Sequence, residues 1–157
     1  MTERRWFSPE LGQDNADVQG AMVLRERVCT ARVARLATID PDGHPHLVPI
    51  VFVLDGQTLY SAVDAKPKRS RRLRRVENGG ERPDVTVLVD RYDDDWGRLW
   101  WVRLRGWARV LERGDEAERA LRLLAEKYEQ YRRERPGFPV LAIDILEWRG
   151  WDASAMA

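Results

Sequence analysis

The ten residues from Lys66 to Arg75 carry seven cations: Lys66, Lys68, Arg69, Arg71, Arg72, Arg74 and Arg75. Like charges at this density repel one another and call for water or an anion between them. A solvated surface helix meets that need. A cradle for a phosphate or carboxylate meets it too. A helix beginning near Arg69 would aim Lys68, its first-turn amides and the positive end of its dipole at one spot, with Arg72 one turn later on the same side. A single phosphate suits this geometry better than an extended duplex. A nucleic-acid or other polyanion surface is the alternative, although the segment holds no base-reading side chains.

Two further sets of residues invite chemistry. The tryptophans Trp96, Trp100, Trp101, Trp107, Trp148 and Trp151 offer flat apolar area to a planar ligand or a partner chain, or simply to the core. The acidic set Asp90, Asp93, Asp94 and Asp95 lacks the loop glycine and distal glutamate of a calcium loop, so pairing with arginines is expected and no metal site. Cys29 is the single cysteine, and His44 and His46 are the only histidines. An internal disulfide and any zinc site of several Cys and His ligands are thereby excluded. There is no G-x-S-x-G, P-loop, H-E-x-x-H or G-x-G-x-x-G sequence. With no nucleophile–base pair in sight, an enzyme of this sequence would take its chemistry from a cofactor.

The elements that must position these residues follow from periodicity. The chain has 157 residues, with 27 basic and 26 acidic, so its net charge is close to zero and any basic patch is local. We expect a loosely held arm over 1–14, one domain over 15–152 and a short tail over 153–157. No apolar stretch follows the first arginines, and the longest apolar run, Leu47 to Leu54, is too short to span a bilayer. A soluble, cytoplasmic protein is expected. From Asn15 the pattern is helical, with Val18, Ala21, Met22, Arg25, Val28 and Cys29 on one stripe and Cys29 read as a small buried hydrophobe. Strands follow over Arg32–Asp40, Pro45–Asp55 and Gln57–Asp64, the second buried on both faces or at an interface, with a turn at 41–44 and a hairpin at Asp55-Gly56. A short basic helix over Arg69–Val76 precedes strands at Asp84–Tyr92 and Arg98–Glu112. In the latter, Trp100, Val102, Leu104, Gly106, Ala108 and Val110 form a core face. Leu99, Trp101, Arg103, Arg105, Trp107, Arg109 and Leu111 form a face that is neither core nor ordinary surface. A helix over Asp115–Arg133, opened by a capping box of Asp115 and Glu118, leads to a last strand at Val140–Arg149. Six antiparallel strands and about three helices predict a small mainly-β barrel, closed to hide its edges, with helices packed at its ends.

The series A-R-L-A-T-I-D-P-D-G-H-P-H-L-V-P, L-Y-S-A-V-D, K-P-K-R-S-R-R-L-R-R and V-T-V-L-V-D-R-Y resembles the flavin/deazaflavin split β-barrel family, the relatives of pyridoxamine-phosphate oxidase. The stretch D-R-Y-D-D-D-W-G-R-L-W-W-V-R-L-R-G resembles its coenzyme F420-dependent subgroup. The likeness covers roughly residues 18–150. It implies a six-stranded antiparallel split barrel that forms homodimers with two cofactor sites at the interface. It implies that Val48, Pro49, Ile50 and Val51 line the cofactor ring through backbone contacts, with Tyr60, Ser61 and Ala62 beside it. Lys66, Lys68, Arg69 and Arg72 match the phosphate-binding segment, and Trp96 a position that approaches the cofactor. Trp101 and Arg103 would serve the cofactor tail or the partner wall. Flavin-using oxidases of the family hold an arginine and a lysine where this chain has Leu47 and Phe52. That departure, and a cationic strip longer than one phosphate needs, favour coenzyme F420 over FMN. The implied activity is hydride transfer to a planar conjugated small molecule, with Tyr60 a conceivable proton donor. The alternatives are an FMN- or haem-binding barrel, haem having only His44 and His46 as ligands, or a polyanion- or RNA-binding barrel using residues 66–75.

Overall fold

The computed structural model describes residues 15–39, 42–62 and 83–156. The expected arm over 1–14 and the basic helix over 69–76 lie outside the described residues. Helix α1 (Asn15–Thr30) is followed by strands β1 (Ala34–Ile39), β2 (Pro45–Ile50), β3 (Val53–Asp55), β4 (Thr58–Ala62), β5 (Asp84–Arg91) and β6 (Trp100–Leu111). Helices α2 (Asp115–Lys127) and α3 (Glu129–Arg133) precede the last strand, β7 (Val140–Asp152). Short 3-10 turns cover Trp96–Arg98 and Ala153–Met156. All pairings are antiparallel, in the order β2-β1-β5-β6-β7-β4-β3.

The two ends of that order, β2 and β3, are neighbours in the chain, separated by Val51 and Phe52 alone. The expected strand Pro45–Asp55 is therefore interrupted, and the sheet has seven strands instead of six. Its first half pairs with β1 and its second half with β4. The break falls at Val51 and Phe52, and the Phe52 side chain is fully buried. Backbone groups released at the break still need partners. The Tyr128 hydroxyl accepts from the Phe52 amide at 3.0 Å. It lies 2.8 Å from the Phe52 carbonyl and 2.9 Å from the Arg32 carbonyl, either of which can take its proton. The Ser61 hydroxyl donates to the Val51 carbonyl at 2.8 Å. Gly56, with φ 60°, opens the β3–β4 turn as the Asp55-Gly56 pair predicts.

Tyr128 also corrects the helix expected over Asp115–Arg133. Its backbone is extended (φ −116°, ψ 118°), which ends α2 and separates it from α3. Helix α2 begins at Gly114 (φ 107°) without a side-chain cap, so the expected capping box is not formed. Asp115, Glu116 and Glu118 still favour the positive end of the helix. Helix α2 buries Ala117, Ala120, Leu121 and Leu124.

The stripe expected on α1 is rotated. Leu24 and Val28 are buried, whereas Met22 is 67% exposed and Cys29 is exposed rather than buried. The side chain of Val18 lies outside the described ones. The helix docks on a strip one residue wide because arginines flank it. Arg25 donates to the Gly56 carbonyl and lies 5.3 Å from the Trp148 ring centroid. Arg27 meets the buried Asp152 at 2.6 Å and lies 5.5 Å from the Trp100 ring. Burying arginine stems beside two apolar residues replaces a broad apolar face.

The long strand β6 follows its expected alternation: Trp100, Val102, Leu104, Gly106 and Ala108 are buried, and Arg103 and Arg105 are exposed. A bulge between Arg105 and Gly106 shifts the register with β7. Gly106 is required there, because a Cβ would stand 2.2 Å from the Asp144 carbonyl oxygen. Strand β7 runs on to Asp152, three residues beyond the expected end.

Candidate functional site

Strand β2 stands at one end of the sheet order, so among the described residues only one of its edges is paired. Pro45 and Pro49 sit opposite Ile39 and Arg35. Proline has no N–H to give a ladder, which places the backbone of residues 45, 47 and 49 on the open edge. Leu47 is the residue of that set that keeps an N–H. The side chains of Pro45, Leu47 and Pro49 are exposed, Leu47 at 66%. This excludes burial on both faces and leaves an apolar strand edge open to a ligand or a partner. Val48 and Ile50 turn the other way and pack on the core, and Phe52 is wholly inside it. Neither Leu47 nor Phe52 gives this strand a charge.

The structure brings Val51 and Ser61 together through the hydrogen bond across the break, with Ala62 next in β4, paired to Val140. Tyr60 goes elsewhere. It is buried against Ala117, Ala120 and Leu121, and its hydroxyl donates to Glu116 Oε1 at 3.0 Å. Burial, reinforced by Glu116, pushes its pKa up to about 12. A phenol so placed is a poor proton donor to any ligand, and the role conceived for it is not supported by its position. Lys66, Lys68, Arg69 and Arg72 lie outside the described residues.

Trp96 is 71% exposed on the turn Trp96–Arg98, which Asp95 caps by accepting from the Gly97 amide at 3.0 Å. The neighbouring acids bind arginines, as expected. Asp90 pairs with Arg35, Asp93 with Arg91 at 3.0 Å, and Asp95 with Arg98 at 3.4 Å. Among the described residues no three His, Cys, Asp or Glu side chains gather around a metal position. His44 is exposed and His46 half-buried at the start of β2. On the outer face of β6 and β7, Trp101 lies opposite Trp151 and Arg103 opposite Arg149.

Two groups escaped sequence reading. Arg109 binds Asp144 through two nitrogens at 2.6 and 2.8 Å, and Glu116 at 2.9 and 3.2 Å. The Arg109 hydrogen bonds hold the Glu116 carboxyl below its ordinary range. The cluster fastens α2 to the sheet. Its signal was Arg109 on the polar face of β6, but its partners stand 7 and 35 residues away. The second is Lys127. Its amine is buried without a hydrogen-bond partner, 4.1 Å from the Phe52 ring centroid and 5.6 Å from that of Tyr128. Burial lowers its pKa to about 8, with Arg32 adding to the fall and Cys29 opposing it. Nothing in the helical pattern distinguished this lysine from a solvated one.

The open, uncharged strand edge, with Ser61 bridging to Val51, fits the polar rim of a planar heteroaromatic ring. The sequence profile described as pyridoxamine 5'-phosphate oxidase matches residues 23–152. Comparison with curated proteins finds no match. Among solved structures, a conserved hypothetical protein from Mycobacterium tuberculosis is similar at 22% identity with a TM-score of 0.68, covering 99% of this chain and 92% of its own. An FAD binding protein from Mycobacterium smegmatis has 21% identity and a TM-score of 0.57 over 83% of this chain and 92% of its own. A haem storage protein from Vibrio cholerae has 15% identity and a TM-score of 0.62 over 80% of this chain and 89% of its own. These likenesses concern the fold. The profile match, the interrupted strand and the antiparallel order agree, and the chain belongs to the pyridoxamine 5'-phosphate oxidase family of split β-barrels.

Proposed function

We propose that the protein is a coenzyme F420-dependent oxidoreductase that works as a homodimer and reduces a planar conjugated small molecule. The observation that carries this reading is the neutrality of residues 47–52, from β2 into the break that follows it. Leu47 is exposed and Phe52 is buried, where flavin-using oxidases of the family hold cations. Among the described residues the amine near Phe52 is that of Lys127, and it is itself buried. A bound deazaflavin would supply the hydride. The chain's part is to hold the ring on the open edge of β2, through the Leu47 amide and the carbonyls of Leu47 and Pro49. Lys66, Lys68, Arg69 and Arg72 hold the phosphate. With Tyr60 committed to Glu116, the proton that completes reduction comes from solvent.

Turnover tests this reading. The reduced coenzyme should be oxidised only when protein and a conjugated acceptor such as a quinone or enone are both present. Replacing Lys68 and Arg69 together by alanine should raise the KM for coenzyme about tenfold or more, since each charge-assisted contact contributes about 1.5–3 kcal/mol. An unchanged KM would contradict the phosphate assignment.

A further inference from the structure

The break at Tyr128 turns α3 off the line of α2 and leaves a groove of about 350 Å³ lined by both helices. Arg122, Ala125 and Glu126 form the α2 wall, and their spacing of three and four puts them on one face of that helix. Tyr131 and Arg132 of α3, with Arg135 just beyond it, form the other wall. The Tyr131 ring meets that of Tyr128 edge-on, with centroids 5.9 Å apart, which ties α3 to the break. The groove is therefore a product of the interrupted helix: a continuous one over 115–133 would have a single wall.

Five arginines lie between residues 115 and 135. Three are matched by carboxylates: Arg119 by Asp55 at 2.7 Å, Arg133 by Glu129, and Arg135 by Glu118 at 3.1 Å. Among the described residues, the exposed guanidiniums of Arg122 and Arg132 have neither an ion pair nor a hydrogen bond. These two unmatched arginines stand on opposite walls of the groove. Glu126 follows Arg122 by four residues, the weaker order for a helical ion pair, and the two do not close on each other. The lining thus carries three cations and one carboxylate. An exposed ion pair contributes little by itself, so a single small anion gains little here. A ligand must meet guanidiniums on both walls at once, and a polypeptide segment with several Asp or Glu side chains does so. Its backbone amides also supply donors for Glu126. A nucleic-acid strand would instead carry its phosphates past that carboxylate, which repels them.

We propose that the groove between α2 and α3 is a docking site for an acidic segment of a partner protein, with Arg122 and Arg132 as its main contacts and Glu126 selecting polypeptide over nucleic acid. None of the lining residues is among those assigned to the cofactor. The proposal stands whether or not the coenzyme reading holds.

The test is fluorescence anisotropy in low salt with full-length protein and a labelled peptide of alternating glutamate and glycine. Its glutamine counterpart and a single-stranded oligothymidine of matched charge serve as comparisons. The glutamate peptide should saturate, and the glutamine peptide should not. Arg122→Ala and Arg132→Ala should each weaken the peptide about threefold, and the two together about tenfold. Arg119→Ala with Arg133→Ala removes the same charge from arginines that are already matched, and should leave the affinity within about twofold. Glu126→Gln should strengthen the oligothymidine more than the peptide. Unchanged far-UV dichroism in these exposed positions separates lost binding from lost folding. Equal losses in the two double variants would reduce the effect to overall charge and overturn the proposal. So would peptide binding lost in Lys68→Ala with Arg69→Ala but kept in Arg122→Ala with Arg132→Ala, which would place it on the basic segment. Displacement of the peptide by coenzyme F420, or oligothymidine held as tightly through the same two arginines, would overturn it as well.

Discussion

Tyr128 holds both sides of an interrupted strand through one oxygen. Removing it in Tyr128→Phe leaves the buried Phe52 amide without its acceptor. An unpaired buried donor costs roughly 1–3 kcal/mol, so the urea midpoint should fall while the slope of the transition stays the same. Lys127 makes a second prediction at this scale. Its folded pKa, about 8, lies below the ordinary lysine value of 10.5. Between those values the unfolded chain binds more protons than the folded one, so stability from this group rises with pH. The penalty is fully present below about pH 8 and is relieved as the pH approaches 10.5. Urea midpoints from pH 7.5 to 10 should show this rise in the native protein. It should be smaller in Lys127→Met, which keeps the packing on Phe52 and removes the charge. Equal slopes in the two proteins would contradict the burial of a charged amine. Neither residue was legible in the sequence. Tyr128 and Phe52 are 76 positions apart, and only closure of the barrel brings them together.

Strands were more legible than their breaks. Two-residue alternation is local, so β1, β4, β5 and both faces of β6 could be read directly. An interruption depends on what lies across the barrel. The run Leu47–Leu54 stays apolar throughout, and nothing local marks the change of partner strand at Val51 and Phe52. The same holds for the break at Tyr128 in an otherwise periodic helix. The helix α1 was misread for a different reason: among its described side chains the docking face pairs two apolar residues with two arginine stems, which periodicity counts as polar. The bulge in β6 carries a sharp prediction. Gly106→Ala would drive a Cβ into the Asp144 carbonyl of β7, a backbone atom that cannot turn aside. The loss should be on the order of 1–3 kcal/mol, read as a lower Tm, and wild-type stability in this variant would show that the two strands can separate there.

For the whole molecule, the homodimer proposed above would place the open edge of β2 and the apolar residues near it in the contact. Ile39 and Leu47, each more than 60% exposed, belong to the adjoining strands β1 and β2. With the homodimer proposed above, sedimentation should give a dimer, and Leu47→Glu should shift it toward monomer by placing a charge in the contact. Family and fold were readable because the order of strands and turns is distributed over the chain. The choice of ring system is harder to read, since it turns on two positions, Leu47 and Phe52. The most direct test is a side-by-side titration of purified protein with coenzyme F420 and with FMN, followed by tryptophan fluorescence. The deazaflavin assignment predicts saturable quenching by coenzyme F420 and little by FMN. Saturation by FMN alone would contradict it and make the protein a flavoprotein despite its uncharged strand.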